Sequence, residues 1–177
     1  KILAKEGADL TLVGRRENLV GRKYFEDIPE LYERMRFTTN LEEAIASADV
    51  VFSATTTGSI ISQQLLPKGC IVIDIGEPRD VQGEEDERED VLIVDGGRFG
   101  FEEGVQVENT PLDGFFREGF YGCMGETALL ALENSLENCS TGRILKLETA
   151  QNLKEIAKKL GFVVDGISKW KEPAGDG

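Results

Sequence analysis

Five short runs constrain this chain more than any other feature: ADLTLVG at 8–14, MRFTT at 35–39, DVVFSAT at 49–55, GCIVIDIG at 69–76 and DVLIVDGG at 90–97. The last three are nearly continuous in apolar residues, which is the pattern of strands covered on both faces in a parallel sheet. Helical patterning lies between them. NLEEAIASA at 40–48 has Asn40 as an N-cap and acids in its first turn, and 17–34 carries Leu19, Tyr24, Phe25, Leu31 and Tyr32 as a crossover interrupted around Pro29. Strands alternating with helices predict an α/β fold with a parallel sheet.

Ligands of such sheets bind outside the carboxyl ends of the strands. Small and special residues gather there: Thr55-Thr56-Thr57-Gly58, Gly76 with Pro78, and Gly96-Gly97. Each alone reads as a tight turn. Three in register on successive strands would share one sheet edge, and they are the first candidates for a binding surface.

The opening segment KILAKEGA reads as the last turns of a helix closed by Gly7, running straight into ADLTLVG. A helix and strand in that relation form the second half of a βαβ unit, so a first strand and a glycine-rich turn are expected upstream. A sheet lacking that strand would leave edges exposed, and self-association is expected of it. The second strand ends in Gly14-Arg15-Arg16, with no acid before Glu17. In a dinucleotide-binding sheet, an acid at this tip would bond the 2′-hydroxyl of NAD, whereas arginines suit the 2′-phosphate of NADP. Arginines after a strand are also common as plain surface residues.

Composition removes several classes. A net charge of −13, from 33 acids against 20 bases, argues against a nucleic-acid binder, which needs a basic stripe to neutralise phosphates. Six of those acids crowd into GEEDERED at 83–90, read as a solvated loop. No apolar run has membrane-spanning length and no leader pattern is present, so a cytoplasmic protein is expected. Histidine is absent, which removes Ser/His/Asp and Cys/His arrangements and any histidine metal site. The three cysteines, Cys70, Cys123 and Cys139, show neither disulfide-framework nor zinc spacing.

The stretch GFYGCMGETALLALENSL at 119–136 places Cys123 where a glycine-rich loop turns into an apolar helix, expected from Thr127 to about Glu137. Unpaired N–H groups and the macrodipole at a helix start favour thiolate over thiol, and flanking glycines admit a substrate. The same cysteine also reads as a small buried hydrophobe. Phe99, Phe101, Phe115, Phe116, Phe120 and Tyr121 precede it, either as an apolar seam of the core or as a slot for an apolar substrate. Glu126 reads as a first-turn acid or as a proton donor. A last helix is expected over 148–160, closed by Gly161, and a tail over 166–177.

SADVVFSAT, CIVIDIGEPRDV, VLIVDGG, GCMGETALLALE and STGRILKLETAQNLKEIAKKLGF occur here in that order. In this the chain resembles the aldehyde-forming long-chain fatty acyl-(acyl-carrier-protein) reductases, relatives of the shikimate dehydrogenase-like proteins, over roughly residues 8 to 163. The cysteine segment is the more specific part. The resemblance implies a Rossmann-like NAD(P)-binding region over 1–107, a cysteine-bearing loop with C-terminal helices over 108–165, and NADPH as cofactor. It further implies an acyl group carried as a thioester on Cys123, with Glu126 also matching. Acyl carrier protein is the implied partner, but it is acidic, and a chain at −13 would be repelled without a local basic patch, so acyl-CoA stands as the alternative. Two other readings fit the strand ends and the GEPRDV turn: a dehydrogenase of the shikimate or glutamyl-tRNA reductase sort, and a non-catalytic NADP-binding module.

Arg15 and Arg16 generate the first test. Cofactor titration is expected to show tighter binding of NADPH than NADH, and replacing both arginines by alanine is expected to erase the difference. Equal affinities in the unaltered protein would remove these arginines from the cofactor site.

Overall fold

The computed structural model describes residues 1–16, 25–26, 28–83, 88–101, 120–135, 139 and 146–164. In chain order the elements are α1 (Ile2–Lys5), β1 (Thr11–Val13), α2 (Pro29–Tyr32), β2 (Arg36–Thr38), α3 (Leu41–Ile45), β3 (Val50–Ser53), β4 (Ile61–Ser62) and a 3-10 turn (Gln63–Leu65). They continue with β5 (Ile71–Asp74), β6 (Val81–Gln82), β7 (Leu92–Asp95), β8 (Arg98–Phe101), β9 (Phe120–Tyr121), α4 (Gly122–Leu132), α5 (Leu147–Lys159) and β10 (Phe162–Val164). All five predicted strands are present, and the α/β class with parallel sheets is the one observed.

By contact the residues form two compact units. Lys1–Ala44 with Cys123–Phe162 make the first. There β1 and β2 pair in parallel, Thr11 opposite Arg36 and Val13 opposite Thr38. Ala4, Phe25, Ile28 and Met35 are its buried core, with Leu10, Leu12, Leu31, Tyr32, Phe37 and Leu147 packed on them. Tyr32 stands between Phe25 and Phe37, with ring centroids at 5.5 and 5.0 Å. Glycine in the left-handed region closes α1 as expected: Gly7 N–H donates to Ala4 O and Ala8 N–H to Leu3 O. Asn134 does the same for α4 at φ 52°, with Asn134 N–H on Ala131 O and Ser135 N–H on Leu130 O. Asn40 caps α3, its Oδ1 accepting from Glu43 N–H at 3.2 Å while its Nδ2 donates to Glu43 Oε2.

Ile45–Gly122, with Val163 and Val164, make the second unit. Its main sheet has the order β3-β5-β7, all parallel, and the register sets Ser53, Asp74 and Asp95 side by side at the carboxyl ends. Val72 and Ile93, two residues earlier on the same face, are buried. The opposite face keeps Val50, Phe52 and Ile71 exposed, against the expectation of cover on both sides. A second small parallel sheet pairs β4 with β6, and a third has β8 between β9 and β10.

Several expectations need correction. Among the described residues, the links from β3 to β5 and from β5 to β7 contain β4, β6 and a single 3-10 turn where helical segments were expected. Left-handed Gly58, Ser59, Gly69 and Gly83, together with Pro67, leave no long helical stretch among the described residues of these links. Pro29 begins α2, at a first helical position where its missing N–H has no partner to lose. Helix α4 starts at Gly122, five residues before the expected Thr127. β8 and β10 were not expected at all. Residues 17–24 of the crossover, Phe115 and Phe116, 84–87 of the acidic run, the division at 107–108 and the tail at 166–177 lie outside the described residues. No described helix is long and apolar enough to cross a membrane.

The C-cap of α4 yields a stability test. Asn134→Gly is expected to hold or slightly raise stability, whereas Asn134→Val should cost about 1–2 kcal/mol, since a β-branched side chain disfavours the left-handed region. Urea unfolding of the three proteins measures it.

Candidate functional site

At the carboxyl ends of β3 and β5 two loops are laced together through two buried carboxylates. Asp74, 2% exposed, ends β5 and turns back on the loop that follows it. Its Oδ1 accepts from Gly76 N–H at 2.9 Å, and its Oδ2 from Asp80 N–H at 2.9 Å and Val81 N–H at 3.0 Å. Asp80, fully buried, reaches across to the loop after β3. Its Oδ2 accepts from Ser53 Oγ at 2.5 Å and Thr55 N–H at 2.8 Å, and its Oδ1 accepts from Thr55 Oγ1. The backbone N–H of Gly58 also bonds this carboxylate.

The backbones follow the side chains. Ser59 N–H donates to Arg79 O at 2.7 Å, and both Ile60 and Ile61 N–H to Asp80 O at 2.8 Å. Two glycines are required by this close approach. A Cβ on Gly76 would stand 2.6 Å from Asp80 Oδ2 and 3.1 Å from Asp74 Oδ1. One on Gly58, at φ 71°, would stand 2.6 Å from Pro78 Cγ. Of the sequence candidates, Thr55, Gly58, Gly76 and Pro78 are thus brought together, while Thr56 and Thr57 lie exposed on the same loop.

Burial by itself pushes the Asp80 carboxyl up, but the hydrogen bonds from Ser53, Thr55 and Gly58 outweigh it and hold the group below its ordinary value. A carboxylate with that many donors is acceptor-only, and its protonation would set a donor against donors. Next to it, Asp95 at the end of β7 receives Arg98 Nη2 at 3.1 Å and Arg79 Nη2 at 3.6 Å. The Arg98 guanidinium carbon lies 5.5 Å from the Tyr121 ring centroid.

The remaining candidates belong to the first unit. Gly14 follows β1 and continues its ladder, donating N–H to Thr38 O at 3.1 Å, and Arg15 and Arg16 are exposed beyond it. Cys123 is the second residue of α4 and is exposed. Glu126 follows one turn later, on the same helical face by its spacing. Thr127 Oγ1 donates to Cys123 O at 3.0 Å, which fixes the first turn. Gly122 N–H is engaged with Gly97 O at 2.7 Å and Gly125 N–H falls within the helix's own ladder, so the first-turn amides left for a ligand are those of Cys123 and Met124. Cys70, at the start of β5, is 1% exposed, and burial followed by the charge of Asp49 pushes its thiol up. Cys139 is half-buried.

Sequence reading singled out neither Asp74, Asp80 nor Ser53, nor the Arg79–Asp95–Arg98 group. The one available signal was the pair of acids in IDIGEPRD, flanking a glycine and a proline at a strand end.

The sign of the Asp80 shift sets a pH dependence. A carboxyl held below its unfolded value of about 3.9 contributes stability that is complete above about pH 5 and is lost as pH falls through the folded value. The unit should therefore weaken below about pH 4, and Asp80→Asn should be less stable at neutral pH with a flatter acid limb. Urea midpoints of both proteins between pH 3 and 7 check this, the difference between them removing the background from other carboxylates.

Residues 1–95 match the family model described as shikimate / quinate 5-dehydrogenase. The chain is similar to an aminotransferase, PigE, from Serratia sp. (strain ATCC 39006), at 32% identity over 174 residues, 97% of this chain and 20% of that protein. The chain therefore spans about a fifth of the length of this curated relative, which carries the name of an aminotransferase and not of a fatty acyl reductase. The family match covers more than half of the chain, including the β1 tip and the laced loops of β3 and β5, and its Rossmann-type NAD(P)-binding character agrees with the parallel sheets. The chain belongs to the shikimate / quinate 5-dehydrogenase family.

Proposed function

We propose that this chain binds NADPH and reduces an acyl thioester to an aldehyde through a thioester on Cys123. The observation that carries the reading is the contrast among the three thiols. Cys123 alone is exposed, at the start of a helix of eleven residues, while Cys70 is sealed in the sheet and Cys139 is half-buried. A nucleophile that must meet a carrier-bound acyl group has to be accessible, and glycines on both sides of Cys123 let the acyl carbon approach.

The residues divide the work as follows. Cys123 sulfur attacks the acyl carbon, and its proton leaves with the carrier sulfur, so the carrier departs as a free thiol. Amides of Cys123 and Met124 hold the oxyanion of each tetrahedral stage. Glu126 moves the proton at Cys123 Sγ. Cys123 is then the leaving group that releases aldehyde and is restored as a thiol. A reduced nicotinamide, when bound, supplies the hydride, and the balance is thioester plus NADPH plus a proton giving aldehyde, thiol and NADP+. The donor set fits that cofactor: Arg15 and Arg16 are exposed after β1 with no acid among Gly14, Arg15 and Arg16, a composition suited to a 2′-phosphate. Thr55, Thr56, Thr57, Gly58, Gly76 and Pro78 lie at the carboxyl edge of the second unit's own sheet, the kind of edge at which dinucleotides bind.

The relative adds chemical support. Transamination consumes an aldehyde or ketone, and an aldehyde is the product class of this reaction, so a reductase segment next to an aminotransferase would supply its carbonyl substrate. The second reading, a hydride-transfer dehydrogenase acting on a hydroxy or keto compound without a covalent stage, is favoured by the family name.

Mass spectrometry after incubation with a long-chain acyl-CoA or acyl carrier protein thioester, without cofactor, separates the two. An acyl adduct on Cys123, absent in Cys123→Ser while NADPH binding persists, is the expected result. An adduct on Cys70 or Cys139, or aldehyde formation that survives Cys123→Ser, transfers the weight to the dehydrogenase.

A further inference from the structure

We propose that Asp80 is a positioning residue of the cofactor site, its carboxylate holding the Ser53–Gly58 segment in the one conformation that receives the dinucleotide. The inference rests on the NADPH reading above and adds a group that touches neither cofactor nor substrate. Among the described residues, the donors to the Asp80 carboxylate come from a single six-residue segment: Ser53 Oγ, Thr55 N–H, Thr55 Oγ1 and Gly58 N–H. These donors lie 25 and more residues earlier in the chain for Thr55 and Ser53, on a neighbouring strand. Asp80 is itself clamped, its N–H on Asp74 Oδ2 and its C=O under the amides of Ile60 and Ile61.

The segment needs such a clamp. Gly58 and Ser59 are consecutive left-handed residues, at φ 71° and 51°, and a non-glycine residue holds that region only where its surroundings insist on it. Thr56, Thr57 and Ser59 remain exposed, carrying hydroxyls at the sheet edge where ligands of parallel sheets bind. Stability alone does not account for the arrangement. A buried charge is an expensive way to pin a loop, and apolar packing of similar volume serves stability as well or better. What a carboxylate adds is direction, because it accepts only, and four donors can satisfy it in few geometries.

Ser53→Ala is the decisive variant, since Ser53 is buried and cannot meet the cofactor, and its removal reaches NADPH only through the loop. Thr55→Val and Thr55→Ser form the second pair, one removing and one keeping the Oγ donor. NADPH titration by fluorescence and amide exchange are measured on the full chain for each. Ser53→Ala and Thr55→Val are expected to weaken NADPH about tenfold and to speed exchange at residues 55–59, with β5 and β7 amides unchanged. Thr55→Ser, which keeps the Oγ donor, should keep the parent's exchange at residues 55–59. Parent-like NADPH affinity in both Ser53→Ala and Thr55→Val overturns the proposal alone. A parent protein without NADPH affinity overturns it together with the functional reading. Faster exchange spread through β5 and β7 overturns it too, assigning Asp80 to general stability.

Discussion

Asp74 and Asp80 face the problem that a parallel sheet creates at its carboxyl edge, where strands end and backbone amides of the departing loops lose their ladder partners. Buried amides without acceptors are costly, and two carboxylates in this unit take up at least six donors among them. Asp74 serves the loop of its own strand and Asp80 serves the loop of the next. Each carboxylate therefore depends on the other: Asp74 holds the backbone of Asp80, and Asp80 then holds Ser53, Thr55 and Gly58. The sheet beneath could form with other residues in these places, but the shape of its edge could not.

The edge is also where the chemistry of a dinucleotide-binding family is expected, and the chain divides its roles by exposure. Charge that organises is buried, as at Asp74 and Asp80, whereas Arg15, Arg16 and Cys123, the groups proposed above to meet ligands, are exposed. Asp95 is intermediate, gathering Arg79 and Arg98 at the end of β7. The acidic run beyond β6 is tied at its end in a different way, with Arg88 bidentate on Asp90 while its Nη1 donates to the carbonyls of Gln63 and Leu66. That exposed pair contributes through its backbone contacts more than through its charges.

Local rules made much of the fold legible. The strands are readable because their apolar runs are long enough to be nothing else, and the caps because Asn40, Gly7 and Gly161 each satisfy a need that arises within a few residues. Cys123 was placed near a helix start for the same reason, although the helix reaches back through Gly122 once that residue's amide is taken by Gly97. The laced loops were not legible. Asp74 and Asp80 look like two ordinary acids six positions apart, and their meaning depends on Ser53 and Thr55, whose distance in sequence no periodicity spans. β8 and β9 escaped notice similarly, because a pairing of two residues with a strand some twenty positions earlier leaves no local trace.

Gly58 and Pro78 meet across the two loops so closely that neither position is chosen independently. A side chain at 58 would have to occupy the volume of the Pro78 ring and would start from a backbone angle that opposes it. A smaller residue at 78 relieves only the first of these. Homologues should therefore change the two positions together or not at all, and an engineer who wishes to reshape this edge has to treat them as one variable.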